Sequence, residues 1–233
     1  MKLTSKLIAA GLLAGSFSLA QAGPMSVFDL ETDGGQAVFN DSLGEGGFYD
    51  NGASYAQLTD TDGVQDDVGA FLLFEFAGFA NINNFGIYDR NNSGERLEVF
   101  NGADSGGGSK VKFDLDAGTA RTTDSNGNQL IANIGSTFGF YLERDGKVFY
   151  SDAGLNSGGV DMARIFDVTD SGNKAFYSAS LIVAFEDLLD GDFDYNDMIV
   201  GISDVRAVPE PGTLALFGLG LVGLGLTRRR KPA

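Results

Sequence analysis

Short apolar runs separated by turn residues constrain the fold of this chain more than any other sequence feature. Gly is abundant, with 34 residues, and together with Asn, Asp and Ser it interrupts the apolar runs throughout the chain. Helix-forming residues are scarce between the two ends. Many short runs joined by tight turns are typical of antiparallel β-sheets, so the pattern predicts an all-β domain.

The clearest predicted element is a β-hairpin over residues 137–151. Its centre, Asp145-Gly146, fits a two-residue type I′ turn. That turn predicts two cross-strand pairs, Leu142 with Phe149 and Tyr141 with Tyr150. The hairpin therefore supplies both a register and a set of aromatic contacts.

The remaining strand predictions differ in their polarity pattern. Residues 110–115 alternate between polar and apolar, as expected of an outer strand, whereas 71–77 and 180–185 do not alternate and are expected to be buried on both faces. The full set of further predicted strands is 71–77, 84–89, 96–100, 110–115, 163–168, 176–185 and 198–202. Their spacing favours one β-sandwich or jelly-roll domain over residues 23–207, between an N-terminal signal helix and a C-terminal transmembrane helix.

Charge and composition exclude several classes of function. Six of the 16 basic residues and one of the 32 acidic residues lie in the two ends, which leaves 10 and 31 between residues 23 and 208, a net charge of −21. Such a surface repels nucleic acid and anionic lipid but attracts cations. The chain has no His, Cys or Trp. Disulfides, zinc sites built on His or Cys, and Ser-His-Asp or Cys-His catalysis are therefore excluded.

The N-terminus predicts a signal peptide over residues 1–22. A basic start at Lys2 and Lys6 precedes an apolar run over residues 7–19. Ala20-Gln21-Ala22 then provides the small-residue pattern of a cleavage site, with Gly23 as the first mature residue. The order of these parts favours a signal peptide over a core helix, and it predicts export by the Sec route.

The C-terminus predicts a short membrane anchor. Pro209-Glu210-Pro211 precedes an apolar helix predicted over residues 213–227, and the basic tail 228–231 contains Arg228, Arg229 and Arg230. As a helix, residues 213–226 would span about 21 Å, against about 30 Å for the hydrocarbon core of a bilayer. The basic cluster should stay on the cytoplasmic side, which leaves the domain outside.

This order of Pro-Glu-Pro, apolar helix and Arg cluster over residues 208–231 resembles the PEP-CTERM sorting signal. The resemblance implies that exosortase, an intramembrane transpeptidase-like enzyme, processes the tail near Pro209-Glu210-Pro211. It also implies a bacterium that makes extracellular polysaccharide. That polysaccharide is a candidate partner of the protein. The helix would then hold the protein in the membrane only transiently, before the protein reaches the cell surface or the extracellular matrix.

A second resemblance covers residues 137–202. The segments FGFYL, FYSDAGLNSGGVDMARIF and FEDLLDGDFDYNDMIV are similar to a bacterial family, domain of unknown function 4114. The resemblance implies secretion and a β fold, and it implies no reaction. Met162 stands where the family pattern has a His, so any role of that His is absent here.

The acidic stretch FEDLLDGDFDYND, residues 185–197, is the strongest candidate site. Asp190, Asp192, Asp194 and Asn196 recur at every second residue, so an extended chain would place them on one face. Phe193 and Tyr195 would then pack inward from the opposite face. Carboxylates this close repel one another, and a divalent cation converts that repulsion into attraction.

We therefore predict a Ca²⁺ site formed by Asp190, Asp192, Asp194 and Asn196, with Asp187 and Asp197 as further ligands. The EF-hand pattern does not fit, because Tyr195 falls at loop position six, where Gly is required, and Gly201 at position twelve, where Glu is required. The alternative is a solvated acidic turn that deters aggregation at a strand end.

Two further acidic segments are weaker candidates. Asp60, Asp62, Asp66 and Asp67 could form a second cation site, but a polar loop before the strand at 71–77 is the favoured interpretation. Residues 124–128, DSNGN, are predicted to form only a turn.

Three functional classes stay open at this point. The favoured class is a non-catalytic, calcium-stabilised protein of the cell surface or extracellular matrix. The second is a carbohydrate-binding module that uses tyrosine side chains, most of which are expected to pack in the core. The third is a glycosidase with two carboxylates, such as Glu75 with Glu143 or Glu186.

Overall fold

The computed structural model describes residues 25–50, 52–59, 65–74, 82–101 and 108–208, with the backbone alone for 65–74. The predicted signal peptide and transmembrane helix lie outside these ranges. Within them, no helix is long and apolar enough to span a membrane. The strands are β1 (Tyr55–Leu58), β2 (Gln65–Phe74), β3 (Asn83–Asp89), β4 (Asn92–Phe100), β5 (Gly108–Asp114), β6 (Thr119–Thr123), β7 (Gln129–Ala132), β8 (Thr137–Arg144), β9 (Lys147–Tyr150), β10 (Ala163–Asp167), β11 (Leu181–Phe185), β12 (Met198–Ile202) and β13 (Val205–Val208).

These strands form two antiparallel sheets. The first has the order β13-β1-β8-β3-β4, and β9 also pairs with β8. β1 pairs with the first half of β8 and β9 with the second half, so the two short strands share one edge of β8. The second sheet has the order β10-β11-β12-β2-β5-β6-β7.

The inner faces of the two sheets pack against each other to form the main core. The Phe85 ring of β3 lies 6.2 Å from that of Phe185 on β11, and the Phe113 ring of β5 lies 5.2 Å from that of Phe138 on β8. Both contacts join one sheet to the other. The prediction of an all-β sandwich is confirmed.

A smaller core covers the outer face of the second sheet. Val27, Leu30 and Phe39 of the N-terminal segment are buried there with Ile182 and other apolar residues of β10–β12. The odd-numbered residues of β11 face the main core instead. All five residues of β11 are therefore buried, as its continuous apolar run predicts.

Several strand predictions are confirmed and others need correction. The hairpin at 137–151 has the predicted turn and both predicted pairs. The segment predicted at 176–185 is a strand only from Leu181, because Lys174–Phe176 is a 3-10 helix and Tyr177 and Ser178 adopt left-handed backbone angles. The predicted outer strand at 110–115 is β5, which lies between β2 and β6. Its alternation reflects one solvated sheet face.

Four strands of the structure were not predicted from the sequence. β1, β6, β7 and β13 are short, and each forms a strand by pairing with a neighbour in its sheet. Asp66 and Asp67 lie on β2 and not in a polar loop, while Asp60 and Asp62 are outside the described residues. The turn predicted at 124–128 is confirmed, with Asp124 Oδ1 accepting backbone N–H groups of Asn126 and Asn128.

Candidate functional site

The acidic stretch forms the loop of a long β-hairpin. β11 ends at Phe185, β12 begins at Met198, and these two residues lie opposite each other in the antiparallel pair. Residues 186–197 therefore leave and re-enter the sheet at neighbouring positions. Apolar strands flank the acidic residues because the strands pass through the core and the loop lies at its edge.

The loop backbone is not extended. Phe193 and Tyr195 have φ angles of 58° and 56°, in the left-handed region that side chains other than Gly rarely adopt. Tyr195 is buried as predicted, but Phe193 is 40% exposed, so the prediction that it packs inward is wrong. The turns at these two positions also remove the single face on which the four predicted ligands would have been aligned.

Contacts with the rest of the domain hold Tyr195 in this conformation. Its backbone N–H donates to Glu186 Oε1, with 2.8 Å between N and O, and its hydroxyl donates to the Asp161 carbonyl oxygen. The Arg164 guanidinium lies 4.6 Å from the centre of the Tyr195 ring, a cation–π contact. These interactions offset a backbone cost of about 1–2 kcal/mol.

Three carboxylates converge within the loop. Glu186, Asp192 and Asp194 each place one oxygen so that the three oxygens lie within 4.8 Å of one another. Glu186 is only 1% exposed, Asp194 is half-buried and Asp192 is exposed. The cluster therefore has a buried base and an open rim, through which an ion could enter from solvent.

Glu186 forms the base of the cluster, and the loop wraps closely around it. A Cβ atom placed on Gly191 would lie 2.5 Å from Glu186 Oε2, so a larger residue at 191 would displace this carboxylate. Burial, followed by the negative charges of Asp197, Asp194 and Asp192, raises the pKa of Glu186 to about 7. The N–H of Tyr195 opposes this shift.

The pKa values of two neighbouring carboxyl groups, Asp197 and Asp194, are raised as well. Burial raises the pKa of Asp197 to about 6, and the charges of Asp187, Asp194 and Asp192 add to the effect. The pKa of Asp194 is raised by burial, with smaller contributions from Asp192 and Asp33. A loop that raises the pKa of three carboxyl groups favours any cation that can neutralise them.

Two of the six residues predicted from the sequence, Asp192 and Asp194, belong to this cluster. Asp190 is exposed and lies outside it. Asp197 Oδ2 accepts the backbone N–H of Asp187, and Asn196 Nδ2 donates to the Glu31 carbonyl oxygen and to Asp194. These two residues shape the loop and orient its carboxylates.

Asp187 has a structural environment of its own. Its side chain is 2% exposed, and it forms an ion pair with Arg144 of β8, with 2.7 Å between Oδ1 and the guanidinium nitrogen. Asn83 Nδ2 donates to its other oxygen at 3.0 Å. Both carboxylate oxygens therefore link the loop to the first sheet, which leaves Asp187 poorly placed as a metal ligand.

The sequence prediction did not include Glu186 among the ligands. It follows Phe185, the last residue of an apolar run, and a carboxylate at that position is carried inward with the end of the strand. An acidic residue directly after a fully buried strand is thus the sequence feature that could have identified it.

The residues proposed for sugar binding or hydrolysis are differently placed. Tyr88, Tyr141 and Tyr195 are buried, while Tyr49 and Tyr177 are exposed. Glu143 forms an ion pair with Arg96 at 3.1 Å. Glu75, its proposed partner in a glycosidase, is outside the described residues.

Comparison with known families assigns two segments of the chain. Residues 107–204 match the family described as Domain of unknown function (DUF4114), a segment that runs from β5 to β12 and contains the whole acidic loop. Residues 207–231 match the PEP-CTERM protein-sorting motif. No curated protein and no solved structure matches the chain. Two segments of the chain are thus similar to known families, residues 107–204 to DUF4114 and residues 207–231 to the PEP-CTERM protein-sorting motif.

Proposed function

We propose that this protein is a non-catalytic, calcium-stabilised module of the cell surface or the extracellular matrix. The PEP-CTERM motif supports an exported protein that is anchored transiently in the membrane and processed by exosortase. The observation that carries the calcium assignment is the convergence of the buried Glu186 carboxylate with Asp192 and Asp194 within 4.8 Å.

The choice of cation follows from the ligand chemistry. The cluster offers carboxylate oxygens, and the chain has no His or Cys to favour zinc. Ca²⁺ takes about six to eight oxygen ligands in flexible geometry, so backbone carbonyls and water would complete the shell. Mg²⁺ requires nearly ideal octahedral geometry and loses its water reluctantly, which suits an irregular loop less well.

The site is proposed to stabilise the fold. The loop joins two central strands of the second sheet, and Asp187 and Asn196 connect it to the first sheet and to the N-terminal segment. Neutralising the cluster therefore stabilises several parts of the domain at once. The absence of His and Cys from the sequence excludes catalysis that depends on those side chains.

The test is the melting temperature of the exported protein in calcium. Extracellular calcium modules bind with dissociation constants of about 0.1–1 mM, so 10 mM Ca²⁺ should stabilise the fold by roughly 1.4–2.7 kcal/mol. For a domain of this size the melting temperature should rise by about 3–11 °C. A sodium chloride solution of equal ionic strength controls for screening of the −21 charge, and magnesium chloride controls for the identity of the divalent ion.

A pair of charge-matched double variants localises the effect. Asp192→Asn with Asp194→Asn should abolish the calcium-specific shift and slightly raise stability in EDTA, because repulsion is removed. Asp116→Asn with Asp170→Asn removes the same charge from exposed positions and should keep the shift. Identical melting curves in calcium and in matched sodium chloride would show that the loop is a solvated acidic turn and not a calcium site.

A further inference from the structure

The outer face of the second sheet carries a groove with a volume of about 460 Å³. Its cationic lining residues are Lys110 and Lys112 of β5 and Arg121 of β6. Thr123 and Gln129 add a hydroxyl and an amide group to the lining. Among the described residues that line the groove, none is acidic and none is aromatic.

Strand alternation places the three cations together. Val111, Phe113 and Ala120 point into the main core, so Lys110, Lys112 and Arg121 lie on the opposite, outer face. Lys112 is directly opposite Arg121 in the antiparallel register. Like charges at paired positions repel each other, so the Lys112 and Arg121 pair adds positive potential to this face.

The adjoining strand contributes one acidic residue to this face by register. Asp67 of β2 lies opposite Lys112, in the row that continues to Arg121, and Gly69 lies opposite Lys110. Asp114, two residues after Lys112 on β5, shares this face as well. Two carboxylate positions thus adjoin three cations, which leaves one net positive charge among these five residues. The groove contains three of the ten basic residues between residues 23 and 208, in a region whose net charge is −21.

We propose that this groove binds the carboxylate or sulfate groups of an anionic saccharide. Arg and Lys side chains supply charge-assisted hydrogen bonds to such groups, and the hydroxyl and amide side chains match the hydroxyl groups of a sugar. The exported location supported by the sorting motif also favours a saccharide.

This inference is independent of the proposed calcium site. The groove lies on β5–β7, and the acidic loop joins β11 to β12, so different residues carry the two functions. Calcium could still bridge an anionic polymer to the acidic loop. The variant Asp192→Asn with Asp194→Asn separates these routes, because binding through the groove persists in it.

Calorimetry tests whether the exported protein binds a soluble polyglucuronate and dextran sulfate. Uncharged dextran is the control. Lys112→Gln with Arg121→Gln should weaken binding by about tenfold or more and make it less sensitive to salt. Lys147→Gln with Lys174→Gln removes the same charge from exposed positions elsewhere and should change affinity by less than about twofold. Circular dichroism establishes that each variant is folded, and Lys110→Gln provides a second, milder change in the groove.

Failure to bind either anionic polymer would overturn the inference. Equal loss in the groove variant and its control would also overturn it, because it would indicate diffuse attraction and no site. If uncharged dextran bound as tightly as the anionic polymers, the carboxylate or sulfate groups would not be required for binding, which would contradict the proposal. Tighter binding of a single-stranded oligonucleotide or of anionic vesicles through the same residues would replace the saccharide with another class of ligand.

Discussion

At the scale of single residues, the most informative side chain is the Glu186 carboxylate. Burial at the base of the loop raises its pKa, and the charges of three other carboxyl groups add to the shift. A folded chain keeps an ionised carboxylate in such a place only at a cost in stability. That cost depends on pH and on any bound cation, so it can be measured.

Stability without calcium should fall as the pH rises from 5 to 8. The folded state raises the pKa of Glu186 from its usual 4.5 to about 7, so folding binds its proton more tightly. Its contribution is therefore fully favourable below about pH 4.5 and is lost as the pH rises through about 7. The loss between pH 5 and 8 is about 2.5 kcal/mol, or a decrease of about 5–10 °C in melting temperature in EDTA.

Two variants check the source of this pH dependence. Glu186→Gln should flatten the curve, although the raised pKa of Asp197 leaves a smaller slope in the same direction. Asp170→Asn, at an exposed position, should leave the curve unchanged. Calcium should flatten the wild-type curve, because the ion stabilises the ionised cluster. Equal slopes in the wild type and Glu186→Gln would show that this carboxylate is not responsible.

At the scale of secondary-structure elements, two hairpins illustrate different origins of loop conformation. The β8–β9 turn contains Asp145 and Gly146 with φ angles of 50° and 75°, which local residue preferences explain. The β11–β12 loop also contains left-handed residues, but these are Phe193 and Tyr195, which have no such preference. Contacts from other parts of the domain hold that longer loop.

Gly146→Ala should therefore destabilise the protein through backbone conformation alone. A Cβ atom at this position meets no atom within 4 Å, so steric contact adds nothing. The positive φ should cost about 1 kcal/mol, which lowers the melting temperature by about 2–4 °C. Gly34→Ala is the control, since its nearest contact is 3.7 Å away and its φ lies outside the left-handed region. A change at Gly34 as large as that at Gly146 would contradict this account.

At the scale of the whole molecule, the sandwich separates charge onto different surfaces. The acidic loop lies at the end of β11, while three cations share the outer face of β5–β7. Strands on both sides of the DUF4114 segment complete the sheets, since β2 precedes it and pairs with β5, and β13 follows it and pairs with β1. An exported form must keep these flanking strands to remain folded.

The exported protein should accordingly lose both ends and keep the domain between them. The sorting motif supports removal of the tail, so the mature mass should lack Arg228, Arg229 and Arg230. Ala20-Gln21-Ala22 predicts a mature N-terminus near Gly23. Intact-mass measurement on protein from the native host tests both cleavages together. Mature protein that retains the three arginines would contradict the sorting assignment and leave export intact.

Local features of the sequence determined the fold class, the hairpin at 137–151 with its register, and the C-terminal sorting motif, while the N-terminal signal peptide stays a prediction. Each depends on residues close together in the chain: a turn pair, an alternation of side chains or a short motif. The sorting motif and the family of the acidic segment were recognisable for the same reason, and both are confirmed. The sequence also marked the acidic loop as a candidate cation site, which stays a proposal.

Tertiary structure decided which carboxylates of that loop meet. Asn196 is held by the carbonyl of Glu31, Asp187 by Arg144 and Asn83, and these partners lie far away in the sequence. Such contacts turn the chain at Phe193 and Tyr195, bring Glu186 into the cluster and leave Asp190 outside. The same limit applies to the short strands β6 and β7 and to the groove they help to form. Which side chains are buried and which strands pair depends on contacts with segments that are distant in the sequence. A local sequence pattern therefore does not predict them.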